Sequence, residues 1–213
     1  MGRAEVERRG RWLIVRFAEP HRVLSWAIVG GGKRIVDAVA WYQVTAEELA
    51  PPVNPGDFLQ SRLKEASLKK AVGLLTSADL DAYAESEKKA EGITVRSVAT
   101  VGVQNALRVG DPPRAAEPVG TINLLTQISV PLSKEAFLEA LSIATEARTA
   151  ALLESGVLSK ESGMPATGTG TDCIVIAAAR SGEMLSYAGK HTFLGHLIGA
   201  CVIEAVRSGL ENA

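Results

Sequence analysis

Val23-Leu-Ser-Trp-Ala-Ile-Val-Gly-Gly-Gly32 fixes how the sheet of this chain begins. Val23 to Val29 is a β-like apolar run, three glycines break it, and a second β-like run follows from Ile35 to Val44. So short a link rules out a parallel pair, because a parallel crossover needs about a dozen residues or more. The sheet therefore starts antiparallel. Upstream, Trp12–Phe17 is a further β-like run, set apart by the turn-former Pro20. Residues 1–11 are charged and aperiodic, and a loose arm is expected there.

Downstream the pattern alternates. Asn54 caps a helix with Pro55 at its first position, expected over about 56–70 and burying Phe58, Leu59, Leu63 and Ala66. Val72–Leu75 reads as a buried strand, and residues 78–89 read as a second helix that stops before Gly92. Strands are expected over 93–103 and 121–130, with a Pro-rich loop over 110–118 between them. Ser133 caps the longest helix, with Leu132 and Phe137 as a hydrophobic staple and Gly156 as its stop. A loop rich in Gly, Ser and Thr spans 157–171, a buried strand spans 173–179, and the last helix runs from Thr192 to Ser208 along an apolar stripe.

The opening stretch also has an echo. Val23–Gly30 aligns with Val95-Arg-Ser-Val-Ala-Thr-Val-Gly102, with Val, Ser, Ala, Val and Gly coinciding. The fold class is thus α+β, a mixed or antiparallel sheet packed with helices. The echo suggests two pseudo-repeated ββαβα halves, 12–92 and 93–213, about a pseudo-twofold axis within one domain. A site would form where they meet.

Composition narrows the function. Apolar residues make up 46% and charged residues 22% of the 213, with a net charge of −1. The scattered Lys and Arg residues give no electrostatic footprint for nucleic acid or an anionic membrane. The longest apolar run, 173–179, is far short of the ~20 residues of a membrane span, and the first residues lack a signal-peptide core. The expectation is a cytoplasmic protein without membrane or nucleic-acid partners. A homo-oligomer is left open. The two cysteines, Cys173 and Cys201, sit in apolar segments and read as core residues.

Four groups could carry chemistry. In Thr167-Gly-Thr-Gly-Thr-Asp172 the glycines let backbone approach a ligand, peptide N–H groups could cradle an anion, and Asp172 could act as a base. The plainer reading is a turn that satisfies its own backbone. No Gly-Lys-Ser/Thr follows, so it is no nucleotide loop. Before the last helix, His191 precedes the cap Thr192; the positive helix end there favours a neutral imidazole that could serve as base. His21 reads as a turn residue and His196 as exposed. The spacing of the three histidines gives no metal motif, although a catalytic metal held by Asp172 or Glu is compatible with the chain. Third, Arg148 falls on the apolar side of the long helix, with Phe137, Leu141 and Leu152. A guanidinium there pairs with an acid such as Asp172, anchors a polar substrate, or reaches past the core to water. Fourth, the amides Asn105 and Asn123 could bind substrate amides or fix backbone, and Ser25, Gly31, Thr76 and Ser77 are candidates of the same kind in the first half.

Seven segments then fall in a familiar order: Ser25–Gly32, Leu74–Asp79, Val101–Ala106, Gly120–Asn123, Ala144–Leu152, Pro165–Asp172 and Tyr187–Thr192. In this the chain resembles the adenosylcobinamide amidohydrolase family over nearly its whole length after residue 12. Arg148 stands where a lysine is expected. His196 stands where a glutamate is expected, so position 196 is given no role. The resemblance implies hydrolysis of the amide that joins aminopropanol to the corrin-ring propionate of adenosylcobinamide, releasing adenosylcobyric acid. The corrinoid is substrate, and no cofactor is implied. Asp172 and His191 would handle protons, and Thr167, Gly168 and Gly170 would help stabilise the oxyanion. Water, Thr169 or Thr171 would be the nucleophile, with water preferred because no Ser-His-Asp order is visible. The rival readings are a corrinoid binder without catalysis, a binder of phosphate ligands, and a self-processing Thr hydrolase cut before a threonine of the 167–171 loop.

Overall fold

The triple-glycine link joins antiparallel neighbours, with Ser25 opposite Gly32. The computed structural model describes residues 4–113 and 120–212. In chain order the elements are β1 (Glu5–Arg9), β2 (Trp12–Ser25), β3 (Gly32–Gln43), α1 (Pro55–Glu65), β4 (Ala71–Thr76), β5 (Ala84–Ala90), β6 (Ile93–Val101), β7 (Ala106–Leu107), β8 (Ile122–Ile128), α2 (Lys134–Glu154), β9 (Gly168–Thr169), β10 (Cys173–Ala178) and α3 (Phe193–Glu211). The main sheet runs β4-β3-β2-β10-β8-β6-β5, with β1 added beside β2. It is mixed: β3–β4 and β8–β10 are parallel, and the other pairs are antiparallel.

One long strand makes this sheet fold over itself. The first part of β2 pairs with β1 and its last part with β10, and the register shifts between Arg16 and His21, around Pro20. The β4-β3-β2-β1 half thereby faces the β10-β8-β6-β5 half. Leu13, Val39, Trp41 and Val72 of one half share a buried cluster with Val98, Leu125 and Val175 of the other. Asn123 of β8 donates to the Leu75 carbonyl of β4 across this interior at 2.7 Å. α1 covers the outside of the first half through Leu59 and Leu63, while α2 and α3 cover the second through Phe137, Ala144, Ile198 and Val202. The layers are helix, sheet, sheet, helix. α3 is long and apolar enough to cross a membrane, but Leu194, Ile198, Cys201 and Ala205 are buried against the sheet as core residues.

The caps behave as their chemistry requires. Asn54 accepts from the Gly56 and Asp57 amides, Ser133 from Ala136, and Thr192 from Gly195.

Several expectations need correction. Glu5–Arg9, expected within a loose arm, is a strand paired with β2. The two runs on either side of Pro20 form one bent strand. The expected helix over 78–89 is a short 3-10 turn followed by the strand β5. Ala, Glu and Lys favour helix by propensity, but Ala84 and Ser86 alternate with exposed Glu85 and Glu87, and pairing with β6 prevails. The missed signal is Glu91-Gly92, both at positive φ, a two-residue hairpin link. The Pro-rich loop expected over 110–118 lies partly outside the described residues. The repeat survives as a unit of antiparallel pair, helix and parallel strand: β2-β3-α1-β4 and β6-β8-α2-β10. The units follow one another in the same order along the sheet, and the first lacks its final helix.

Candidate active site

Asp172 stands where the Gly/Thr loop enters β10, and β9 ties that loop to β7 through Ala106↔Thr169 and Leu107↔Gly168. Its carboxylate collects four donors. Arg148 of α2 donates to Oδ2 at 2.5 Å and the Thr169 amide to the same oxygen at 2.9 Å. The Thr169 hydroxyl donates to Oδ1 at 2.5 Å and the Ile122 amide at 3.0 Å. Both partners of the ion pair are buried, with side-chain exposures of 10% for Arg148 and 7% for Asp172. Arg148, expected to pair with an acid, to anchor a substrate or to reach water, pairs with Asp172. Gly168 makes this possible: a Cβ there would come within 2.5 Å of Asp172 Oδ2 and 3.3 Å of the guanidinium.

An ionised carboxylate offers about four lone-pair sites, and here the protein fills them. Asp172 is thus arranged as an acceptor that holds Thr169, Ile122 and Arg148 in place.

A cleft of about 260 Å³ opens beside this cluster at one end of the sandwich. Trp26, Ile28, Ser77, Thr121, Asn123 and Thr171 are among its walls. The Thr121 and Thr171 hydroxyls are 2.7 Å apart, and the Thr171 hydroxyl also reaches the Gly120 carbonyl at 3.2 Å. Trp26 donates its indole N–H to the Asp172 backbone carbonyl at 2.7 Å while leaving 48% of its surface exposed. Cys173 also lines the cleft, but burial pushes its thiol up to about 12, so it is no thiolate nucleophile at neutral pH. Among the described residues no three His, Cys, Asp or Glu side chains converge as metal ligands would.

The other predicted residues divide. Ser77 and Asn123 line the cleft. Asn105 lies between Gly120 and Gly170, and its side-chain carbonyl is buried without a partner. Thr167 turns its hydroxyl to the Val109 amide and gives its carbonyl to Arg148 and Thr149. Ser25 accepts from the Ala27 amide at 3.4 Å, and Gly31 closes against the Ala27 carbonyl; both serve a turn. His191 is not brought to the cluster. It neighbours Gly189, and the adjoining Ala188 amide binds Glu139, nine residues before Arg148 on α2, or about 13 Å along the helix. His21, read as a turn residue, is buried; it bonds the Glu19 carbonyl and Gln127 and stacks on Phe17.

Reading the sequence missed Thr121, Trp26 and the Ile122 amide. Thr121 lies inside Gly120-Thr-Ile-Asn123, where the asparagine is the more conspicuous polar residue. A hydroxyl residue opening a buried strand straight after a glycine is the signal that could have found it.

The chain is thus a helix–sheet–sheet–helix sandwich with threonine hydroxyls and a buried carboxylate–guanidinium pair at one open end. In fold the chain is similar to a Burkholderia sp. beta-aminopeptidase, with a TM-score of 0.52 over 98% of this chain and 82% of that one, at 13% identity. Residues 1–213 match the adenosylcobinamide amidohydrolase family, and the chain belongs to it. A Halobacterium salinarum protein named adenosylcobinamide amidohydrolase is 30% identical, covering 90% of this chain and 80% of its own. A Methanosarcina mazei protein of the same name is 28% identical, covering 86% and 87%.

Proposed function

We propose that the chain hydrolyses the aminopropanol amide of adenosylcobinamide, giving adenosylcobyric acid and aminopropanol, as a cytoplasmic step of corrinoid salvage. Family membership over the whole chain supports the substrate class. The observation that carries the reading is the cleft with Thr121 and Thr171 on its walls, backed by the Asp172–Arg148 pair.

Size sets the pose. Ligand pockets for whole small molecules hold roughly 300–1,000 Å³, and this cleft is about 260 Å³. It has room for the amide arm of a corrinoid but not for the macrocycle. The ring lies outside, against the exposed faces of Trp26 and Ile28, and the arm reaches inward to the threonine hydroxyls. Asn123, on the cleft wall, offers its side-chain carbonyl to the substrate amide. The Thr171 hydroxyl polarises the amide carbonyl, and Asp172 and Arg148 are positioning residues that fix the loop behind it.

The test is incubation of the purified chain with adenosylcobinamide, followed by chromatography for the carboxylate product and free aminopropanol. Product formation supports the reading. Tight binding without released aminopropanol would make the chain a corrinoid binder and overturn it.

A further inference from the structure

Among the described residues the cleft has hydroxyls but no evident base with a free position beside them. Asp172 is saturated by four donors, His191 stands elsewhere, and the Cys173 thiol stays protonated. A threonine hydroxyl without a base is a weak nucleophile, and a free N-terminal amine is one of the groups that can activate it. The backbone around Thr121 is arranged to make such an amine. One hydroxyl, that of Thr171, lies within hydrogen-bond reach of both the Thr121 hydroxyl and the carbonyl just before it, Gly120 O. Attack by Thr121 on that carbonyl needs this pairing: a partner on the nucleophile and a donor on the oxygen that becomes negative. Gly120 is packed so closely that a Cβ would fall 2.5 Å from Asn105 Oδ1 and 3.0 Å from the Gln104 and Asn105 amide nitrogens. Among the described residues Asn105 Oδ1 is itself a buried acceptor with no donor, a state that native proteins rarely leave uncompensated.

We infer that the chain cleaves its own Gly120–Thr121 bond, and that the Thr121 so exposed is the nucleophile of the amidohydrolase. In the first step Thr121 Oγ1 bonds to the Gly120 carbonyl carbon. The bond from that carbon to the Thr121 nitrogen breaks, and the hydroxyl proton ends on the nitrogen. The result is an ester between Gly120 and the Thr121 side chain. Water then hydrolyses the ester, leaving the Gly120 carboxylate, the restored hydroxyl and a free α-amine. The Thr171 hydroxyl donates to the oxyanion in the first step. Asn105 Oδ1, beside Gly120, gains a donor in the new ammonium. An α-amine titrates near ~8, so it is largely able to take a proton under mildly basic conditions. The cut belongs here and not in the 167–171 loop, because the Thr169 hydroxyl is committed to Asp172 and the Thr171 hydroxyl faces Gly120.

Cleavage would not separate the pieces. β6 pairs with β8 and β2 with β10, so the two fragments share one sheet. The role in turnover rests on the proposed amide hydrolysis; the cleavage does not.

The test is the intact mass of the purified full chain under denaturing conditions, with time and pH. The expected result is two fragments, residues 1–120 and 121–213, the second starting Thr-Ile-Asn, which elute together on native size exclusion. Thr121→Ala stays whole, Thr121→Ser still cleaves, and Thr171→Val cleaves about 10²-fold more slowly, the usual cost of losing one oxyanion donor. Circular dichroism on each variant separates failed folding from failed cleavage. A folded chain that stays whole overturns the inference, and if it still turns over adenosylcobinamide the amidohydrolase reading stands alone. Cleavage without turnover does the opposite. Cleavage that persists in Thr121→Ala also overturns it.

Discussion

Replacing Arg148 by Met takes the cation from Asp172 but leaves that carboxylate with three donors, the Thr169 amide, the Thr169 hydroxyl and the Ile122 amide. Replacing Asp172 by Ala is harsher. The buried guanidinium keeps only the Thr167 carbonyl, its Nε has no partner, and the two backbone amides lose their acceptor. Breaking a buried ion pair costs about 3–5 kcal/mol, so the structure assigns R148M about 3 and D172A about 5. At about 2–4 °C per kcal/mol for a chain of this size, the melting temperature falls by about 6–12 °C and about 10–20 °C respectively. The double variant carries no orphaned charge and should be more stable than D172A alone. Urea and thermal unfolding of the four proteins measure all of this. Equal costs for the two single variants, or strictly additive costs in the double, would refute the account of a fully satisfied carboxylate holding an under-satisfied guanidinium.

Gly168→Ala puts a Cβ 2.5 Å from Asp172 Oδ2; the expected cost is about 1–3 kcal/mol of stability and about 10²-fold in turnover through displacement of the loop, read by unfolding and product assays on the same sample. Burial holds the His21 imidazole below its ordinary 6.5. Above pH 6.5 the ring is neutral folded or unfolded, and as pH falls below that value the unfolded chain binds a proton the folded one does not, so stability drops until the folded ring titrates. Melting curves of wild type and His21→Gln should diverge in slope just below pH 6.5, and parallel slopes would count against it. Asn54→Ala removes the acceptor for two amides of α1 and should cost about 1 kcal/mol with turnover unchanged. His191→Ala should turn over substrate near the wild-type rate, since the ring stands away from the cleft; a large loss would restore it to the site.

Much of the fold was legible in the sequence because the signals are local. The triple glycine forces an antiparallel pair, Asn54-Pro55, Ser133 and Thr192 satisfy the first amides of their helices, and the apolar runs at 72–75 and 173–178 are strands whatever surrounds them. Family membership was legible for a related reason, since seven short segments keep their order along the chain. Tertiary structure alone decided the rest. β5 is a strand because β6 supplies the hydrogen bonds that its helix-favouring residues would otherwise make within a turn. The site was half readable: the residue types of the Gly/Thr loop pointed to Asp172, and the side of the long helix pointed to Arg148. How Asp172 is held depended on donors 3, 24 and 50 residues away. The pairing of Thr121 with Thr171 spans 50 residues, and the distance of His191 follows from α2 running between the two ends of the sandwich. Local chemistry is written in neighbouring residues, whereas the filling of an acceptor or the meeting of two hydroxyls is set only when strands distant in sequence close on one another.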